Sequence, residues 1–191
     1  MNMTALLPGR PVNAADREPV ERACYDFLDG LGVAYERVDH DAAFTLEACK
    51  EVDGVLGATI CKNLFLCNRQ RTAFYLLLIE GDKVFKTKYL SAQLGCARLS
   101  FAPPEDMERL LGVTPGSATV LGLMNDKEKV VRLVIDRSAV GQEYFGCHPC
   151  RNTTSLRFRT ADLLEKVIPA LDHSPVFVDL PDEFLAAFLA H

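Results

Sequence analysis

The chain has 191 residues, 49% of them hydrophobic and 25% charged, with a formal net charge of −5. That length fits one domain with a full core, and the composition excludes a disordered or fibrous chain. No apolar run approaches the roughly 18 to 20 residues of a membrane helix, and an acidic total argues against general phosphate neutralisation as a way of gripping nucleic acid, though it leaves room for a local basic patch.

Residues 1–17 hold Pro8, Gly9 and Pro11, show no periodicity, and read as a flexible lead-in. From Pro19 the pattern turns helical, with Val20, Cys24, Phe27, Leu28 and Leu31 at spacings of three and four and Gly30 and Gly32 at the exit. Val33–Asp39 reads as a strand, and Thr45 can cap a short helix to about Val52. Ile60–Cys67 and Ala73–Ile79, joined by polar Asn68–Thr72, predict a hairpin. A helix from Thr87 to Gly95, a short strand over Arg98–Ala102, and a helix over Glu105–Leu111 stopped by Gly112 follow. Thr119–Leu123 and Val130–Asp136 read as a second hairpin. Beyond the irregular loop Gly146–Asn152 come a strand (Thr154–Phe158), a helix (Thr160 to about Ala170), a strand (Pro175–Leu180) and a short C-terminal helix within 181–191. Hairpins and helices interleave, so the expected fold is a single α/β (α+β) domain over residues 18–180, a mixed central sheet with flanking helices.

Phosphate-binding loops, dinucleotide fingerprints, serine-nucleophile elbows and H-E-x-x-H zinc motifs are absent from the sequence. The four histidines are scattered, so no metal site is expected, and no cofactor is implied. The seven cysteines are odd in number and irregularly spaced. Met1–Arg10 lacks a basic region followed by an apolar core, so the expectation is free thiols in a cytoplasmic protein. Cys147-His148-Pro149-Cys150 is a C-x-x-C, but a strand rather than a helix is predicted after it, the wrong setting for a dipole-activated thiol. The pair reads better as two thiols flanking a functional histidine than as a redox or zinc motif. His148 itself, between Gly146 and Pro149, is balanced between a structural and a site role.

Lys62 stands inside an apolar strand, sharing a face with Leu64 and Leu66 while Asn63 shares the other with Phe65. Such a lysine is either an edge-strand gatekeeper or an ammonium aimed at a carbonyl or phosphate. Arg69, Arg71, Lys83, Lys86 and Lys88 cluster around neighbouring turns, with Arg151 in a second basic group. They read as solvated surface unless folding gathers them on one rim as a phosphate-binding patch.

Several stretches together carry a resemblance: Cys61-Lys62-Asn63-Leu64-Phe65-Leu66, Gly81-Asp82-Lys83, Phe85-Lys86-Thr87-Lys88, Arg98-Leu99-Ser100-Phe101, Leu110 to Ser117, Val120-Leu121-Gly122-Leu123-Met124-Asn125-Asp126 and Gly146-Cys147-His148-Pro149-Cys150. Over about residues 18–180 the chain resembles the free-standing prolyl-tRNA editing proteins, the PrdX-like alanyl-tRNA(Pro) deacylases of the YbaK/aminoacyl-tRNA-synthetase-associated domain superfamily. YbaK-type relatives carry a G-x-x-x-P loop where this chain has Leu121–Asn125; only Gly122 matches, which points to the alanine-specific branch. The resemblance implies hydrolysis of the ester joining alanine to the acceptor end of tRNA(Pro), with Lys62, Asn63 and His148 at the catalytic centre. Gly122, Leu123, Met124, Asn125 and Gly146 would line the substrate pocket, with Met124 setting its size, and the basic residues named above would meet the tRNA. The partner it implies is tRNA(Pro), with prolyl-tRNA synthetase left open as a second partner and no role for DNA or a membrane. Water attack on an ester that is already activated needs positioning and oxyanion stabilisation rather than a strong nucleophile. Two readings compete with it: a non-catalytic tRNA- or synthetase-binding module of the same fold, and a thiol oxidoreductase using Cys147 and Cys150.

Overall fold

The apolar run Phe74–Ile79 is buried along its whole length, because it forms the middle of a sheet covered on both faces. The computed structural model describes residues 1–43 and 45–182, and the expected C-terminal helix falls outside them. Strands β1 (Leu7–Pro8), β2 (Tyr35–Asp39), β3 (Lys62–Cys67), β4 (Phe74–Ile79), β5 (Ser100–Phe101), β6 (Val131–Asp136), β7 (Tyr144–Cys147), β8 (Thr154–Arg159) and β9 (Val176–Val178) divide between two sheets. One has the order β1-β2-β8-β7, the other β5-β3-β4-β6-β9. The first is antiparallel; in the second, β4, β6 and β9 run parallel, while β3 pairs antiparallel with β4 and β5.

Helices α1 (Pro19–Gly30), α2 (Leu46–Leu56), α3 (Thr87–Leu94) and α4 (Pro104–Leu111) form near the expected positions, except that α2 runs through Gly54 to Leu56 instead of ending about Val52; Thr45 accepts from Ala48 N–H at 3.2 Å, and Gly57, Gly95 and Gly112 end three of them in left-handed turns. The last helical run is a short α5 (Thr160–Asp162), a π-type turn (Leu163–Val167) and α6 (Ile168–Leu171). The main core lies between the sheets, where Phe65, Leu76, Leu78, Leu133 and Ile135 meet Phe145, Leu156 and Phe158, with Tyr25 and Leu28 of α1. A second core packs Leu90 of α3 on Leu66, Leu77 and Ile79, and a third packs Leu56 at the end of α2 against Val38 of β2. No helix among the described residues is long and apolar enough to cross a membrane.

Three expectations change. The sheet is two sheets, because β7 and β8 pair with β2 instead of extending the central hairpin. The stretch 1–17 is tied down: β1 pairs with β2, Thr4 N–H reaches the Asp39 carbonyl at 2.8 Å, and Arg37 donates to the Gly9 carbonyl at 2.5 Å. The second hairpin does not form. Val120–Asn125 is a 3-10 helix whose Val120, Leu121 and Leu123 are all buried, and β6 finds parallel partners in β4 and β9. Local bonds hold it in turns: the Thr119 hydroxyl accepts from Leu121 N–H, and Gly122 and Asp126 N–H donate to the Thr119 and Leu123 carbonyls, so the segment offers no free edge to β6.

Besides packing across the core, the two sheets are joined through the backbone where Ile60 bridges Gly146 in parallel and Cys61 N–H donates to the Gly146 carbonyl at 3.0 Å. A Cβ on Gly146 would stand 2.8 Å from the Thr59 carbonyl oxygen, and one on Gly81 would stand 2.9 Å from the Ile60 carbonyl oxygen. Neither backbone oxygen can yield without opening the joint. Gly146→Ala should therefore destabilise the protein by about 1–3 kcal/mol, the usual cost of overpacking. Urea unfolding measures this, and an unchanged midpoint would contradict it.

Candidate active site

Strand β3 builds the site because one of its edges is only partly covered. Residues that point away from β4 alternate along it: Cys61 bonds Gly146 of β7, and the Phe65 carbonyl accepts from Ala102 N–H at 2.9 Å. Asn63 lies between them, so its backbone N–H and C=O face the same open edge. A cavity of about 440 Å³ fills this gap, lined by Lys62, Asn63, Leu64 and Phe65 of β3, Cys49, Lys50 and Asp53 of α2, Gly81 and Asp82, Met107 of α4, the turn at Pro115 and Gly116, and His148. A second groove of about 390 Å³ shares Lys62, Leu64, Gly81, Asp82 and Phe101 with it and continues to Val84 and Phe85. Phe101 is 62% exposed, unusual for so large an apolar ring.

The Lys62 ammonium donates to the Lys83 carbonyl at 3.2 Å. Lys83 is buried, with its own ammonium on Asp136 at 2.6 Å and near Ser138. Asp136 also accepts from Leu180 N–H and the Ser138 hydroxyl. Asn63 Nδ2 donates to the Cys61 carbonyl at 2.8 Å, while its Oδ1 is buried without a partner among the described residues. His148 Nδ1 lies 3.0 Å from the Thr154 carbonyl. A carbonyl only accepts, so Nδ1 carries the hydrogen and Nε2 keeps its lone pair. Burial pushes His148 down to about 4, against the opposing pull of the Thr154 carbonyl and with help from neighbouring His40. His40 and Ser155 back it: the Ser155 hydroxyl lies 2.9 Å from His40 Nε2 and 3.4 Å from His148 Nδ1.

Folding thus brings Lys62, Asn63 and His148 to one cavity, and Gly146 supports it from the joint. It does not bring Gly122, Leu123, Met124 and Asn125 to the wall. That loop packs into the main core, Asn125 Nδ2 donates to the Leu111 carbonyl at 2.8 Å, and Met124 lies against the core. Pro115, Gly116 and Ala118, earlier on the same connection, take the place at the wall. The basic residues do not form one rim. Lys83 is consumed by Asp136. Arg69 and Arg71 sit at the hairpin turn, the far end of β3 from Lys62, roughly 20 Å along a six-residue strand, and Arg71 is held by Glu105 and Asp106. Arg151 bonds Glu18 at 2.5 Å. Lys86 and Lys88 are exposed and follow Phe85 beside the second groove.

Cys147 and Cys150 are fully buried, Cys150 within 3.5 Å of Cys24, and burial pushes the Cys147 thiol up. An inert buried thiol is a poor redox nucleophile. The sequence marks neither Asp53 nor Met107 for the site, since each sits in an ordinary amphipathic pattern, and Phe101, although inside one of the stretches that carry the resemblance, receives no role there.

Residues 40–166 match the model of the aminoacyl-tRNA editing domain family. The chain is 31% identical over 143 residues to the prolyl-tRNA editing protein ProX of Acetoanaerobium sticklandii, covering 75% of this chain and 87% of that protein. It is 30% identical over 155 residues to the prolyl-tRNA synthetase associated domain-containing protein 1 of Danio rerio, covering 80% and 83%. Among solved structures, one described as a candidate trans-editing enzyme for prolyl-tRNA synthetase superposes with a TM-score of 0.65 at 17% identity, covering 86% of this chain and 99% of that one, a likeness of fold. With the model matched across both sheets and over the Lys62–His148 cavity, the chain belongs to the aminoacyl-tRNA editing domain family.

Proposed function

We propose that this protein is a trans-editing hydrolase that removes alanine from mischarged tRNA(Pro). The observation that carries the reading is the meeting of an ammonium (Lys62), a backbone N–H on the open edge of β3 (Asn63) and a neutral histidine (His148) at one cavity joined to a second groove. Family membership supports aminoacyl-tRNA as the substrate, and the relatives' names point to prolyl-tRNA and its synthetase as the setting. Alanine is smaller than proline, so a synthetase pocket shaped for proline discriminates against it only weakly, and a second hydrolytic site corrects the error.

In this mechanism the ester carbonyl sits at the open edge of β3. Water adds to the carbonyl carbon, and the oxyanion that forms is met by the Lys62 ammonium and the Asn63 backbone N–H. The Lys83 carbonyl holds Lys62 in place before reaction. The carbon–oxygen ester bond then breaks, and the proton given up by the attacking water passes to the leaving ribose oxygen, giving free alanine and the tRNA 3′ hydroxyl. His148 Nε2 accepts a hydrogen bond from the neighbouring ribose hydroxyl and so orients the sugar. The terminal adenosine continues into the second groove, where the exposed Phe101 ring offers a stacking face and Lys86 and Lys88 stand near the phosphates.

Lys62→Ala should lower alanyl-tRNA(Pro) deacylation by roughly 10²- to 10³-fold while leaving the circular dichroism spectrum unchanged; near-normal turnover would remove Lys62 from this role. His148 should stay neutral through the physiological range, its ring protons shifting only as the pH approaches about 4. Its folded pKa lies below the unfolded value of about 6.5, so the stability it contributes is complete above that value and is lost as pH falls toward 4. NMR titration checks this, and a midpoint near 6.5 would contradict it. Amino-acid choice should respond to Met107, which lines the cavity, and not to Met124. Met107→Ala should raise hydrolysis of prolyl- relative to alanyl-tRNA by about 1–3 kcal/mol at most, while Met124→Ala keeps the wild-type ratio. Deacylation of alanyl-, seryl- and prolyl-tRNA by both variants decides between them.

A further inference from the structure

Helix α2 supplies a carboxylate to the cavity that Lys62 and Asn63 also line. Cys49, Lys50 and Asp53 lie three and four residues apart on α2 and share the face that meets it. Asp53 Oδ1 accepts Ile60 N–H at 3.0 Å, which ties α2 to the chain just before Lys62. The second oxygen, Oδ2, has no partner among the described residues, and it is not sealed from solvent. Among the described residues no ammonium reaches it within ion-pair distance: Lys62 is turned to the Lys83 carbonyl, and Lys50 acts on its charge only from farther off.

We propose that Asp53 binds the α-ammonium of the aminoacyl ester, so that the site accepts a free aminoacyl group and rejects one whose amino group is blocked. This rests on the hydrolase reading. Any aminoacyl ester carries its amino group on the carbon next to the carbonyl. A cavity that places Lys62 at the carbonyl oxygen needs an anion for the other charge, and a carboxylate oxygen with no hydrogen-bonded cation supplies it. Partial burial and nearby Asp82 push Asp53 up to about 6, against Lys50 and the Ile60 N–H. At neutral pH it is still largely ionised, and an arriving ammonium favours that form further. The consequence is a filter: esters with acylated amines, as on peptidyl-tRNA, lack the charge that Asp53 reads and stay intact.

The test compares kcat and KM for alanyl-tRNA(Pro) and N-acetyl-alanyl-tRNA(Pro), using wild type and Asp53→Asn. Asparagine keeps an oxygen for Ile60 N–H and removes only the charge. Wild type should prefer the free amine at least tenfold in kcat/KM. Asp53→Asn should raise KM for the alanyl ester roughly 10- to 100-fold, as expected for a lost charged hydrogen bond, with kcat within a few-fold, and should erase most of the preference. A wild type that hydrolyses both esters equally overturns the proposal alone. So does a variant that keeps the preference, whatever its overall rate, because Asp53 would then only brace β3. A wild type that hydrolyses neither overturns the hydrolase reading and this proposal with it. The wild-type comparison needs no variant, so it stands even where Asp53→Asn fails to fold.

Discussion

One backbone hydrogen bond, from Cys61 N–H to the Gly146 carbonyl, sets the geometry of the site. It joins two sheets that otherwise share only a core, and it does so two residues before Asn63. Strand alternation then carries the consequence along β3: Cys61 is taken by β7, Phe65 by Ala102, and Asn63 between them is left facing a gap. His148 follows Gly146 by two residues, so the same contact brings the histidine to the gap. The two glycines are required here because side chains would collide with the Thr59 and Ile60 carbonyls. A slip of one residue at this joint would turn Lys62 and Asn63 to each other's faces.

The charges at the site are held by partners that the cavity does not contain. Lys62 emerges from an apolar strand, and its ammonium is steadied by a carbonyl rather than an acid, which leaves its charge uncancelled. The residue supplying that carbonyl, Lys83, is fixed by Asp136, whose oxygens are also satisfied by Ser138 and the Leu180 backbone. A buried ion pair gives little net stability by itself, but a fully hydrogen-bonded one fixes position, and here it fixes the loop on which Lys62 leans. His148 is organised in the opposite sense. Burial keeps it neutral, and the Thr154 carbonyl chooses which nitrogen carries the hydrogen, so its free lone pair is set by the fold. An ammonium and a neutral imidazole at one cavity suit the stabilisation of a developing oxyanion better than they suit nucleophilic attack by a side chain.

The basic residues show how local sequence misleads about surfaces. Lys83 falls in a turn rich in charge and reads as solvent-facing, yet a single aspartate at the end of β6, 53 positions away, draws it inside. Arg71 and Arg151 are occupied by acids from α4 and from the start of α1. Lys86 and Lys88 are exposed at the second groove, and there the acidic total of the chain matters least.

The sequence by itself determined most of the elements: the four long helices, the β3–β4 hairpin, and Lys62 and Asn63 on opposite faces of one strand. It did so because helical and strand periodicities are local, and because a lysine inside an apolar strand has few places to go. The motifs at Lys62 and His148 carried the family resemblance across the gap of more than eighty residues between them. Only the tertiary structure decided that β7 and β8 leave the central sheet and return to meet β3 at Ile60, since pairing across such distances depends on how both sheets pack on a shared core. It also decided that Val120–Asn125 coils into that core instead of forming a strand, which removes Met124 from the wall and leaves the place to Met107 and Pro115. Asp53 was invisible for the same reason: on α2 it is an ordinary helical acid, and only the fold turns its face toward Lys62.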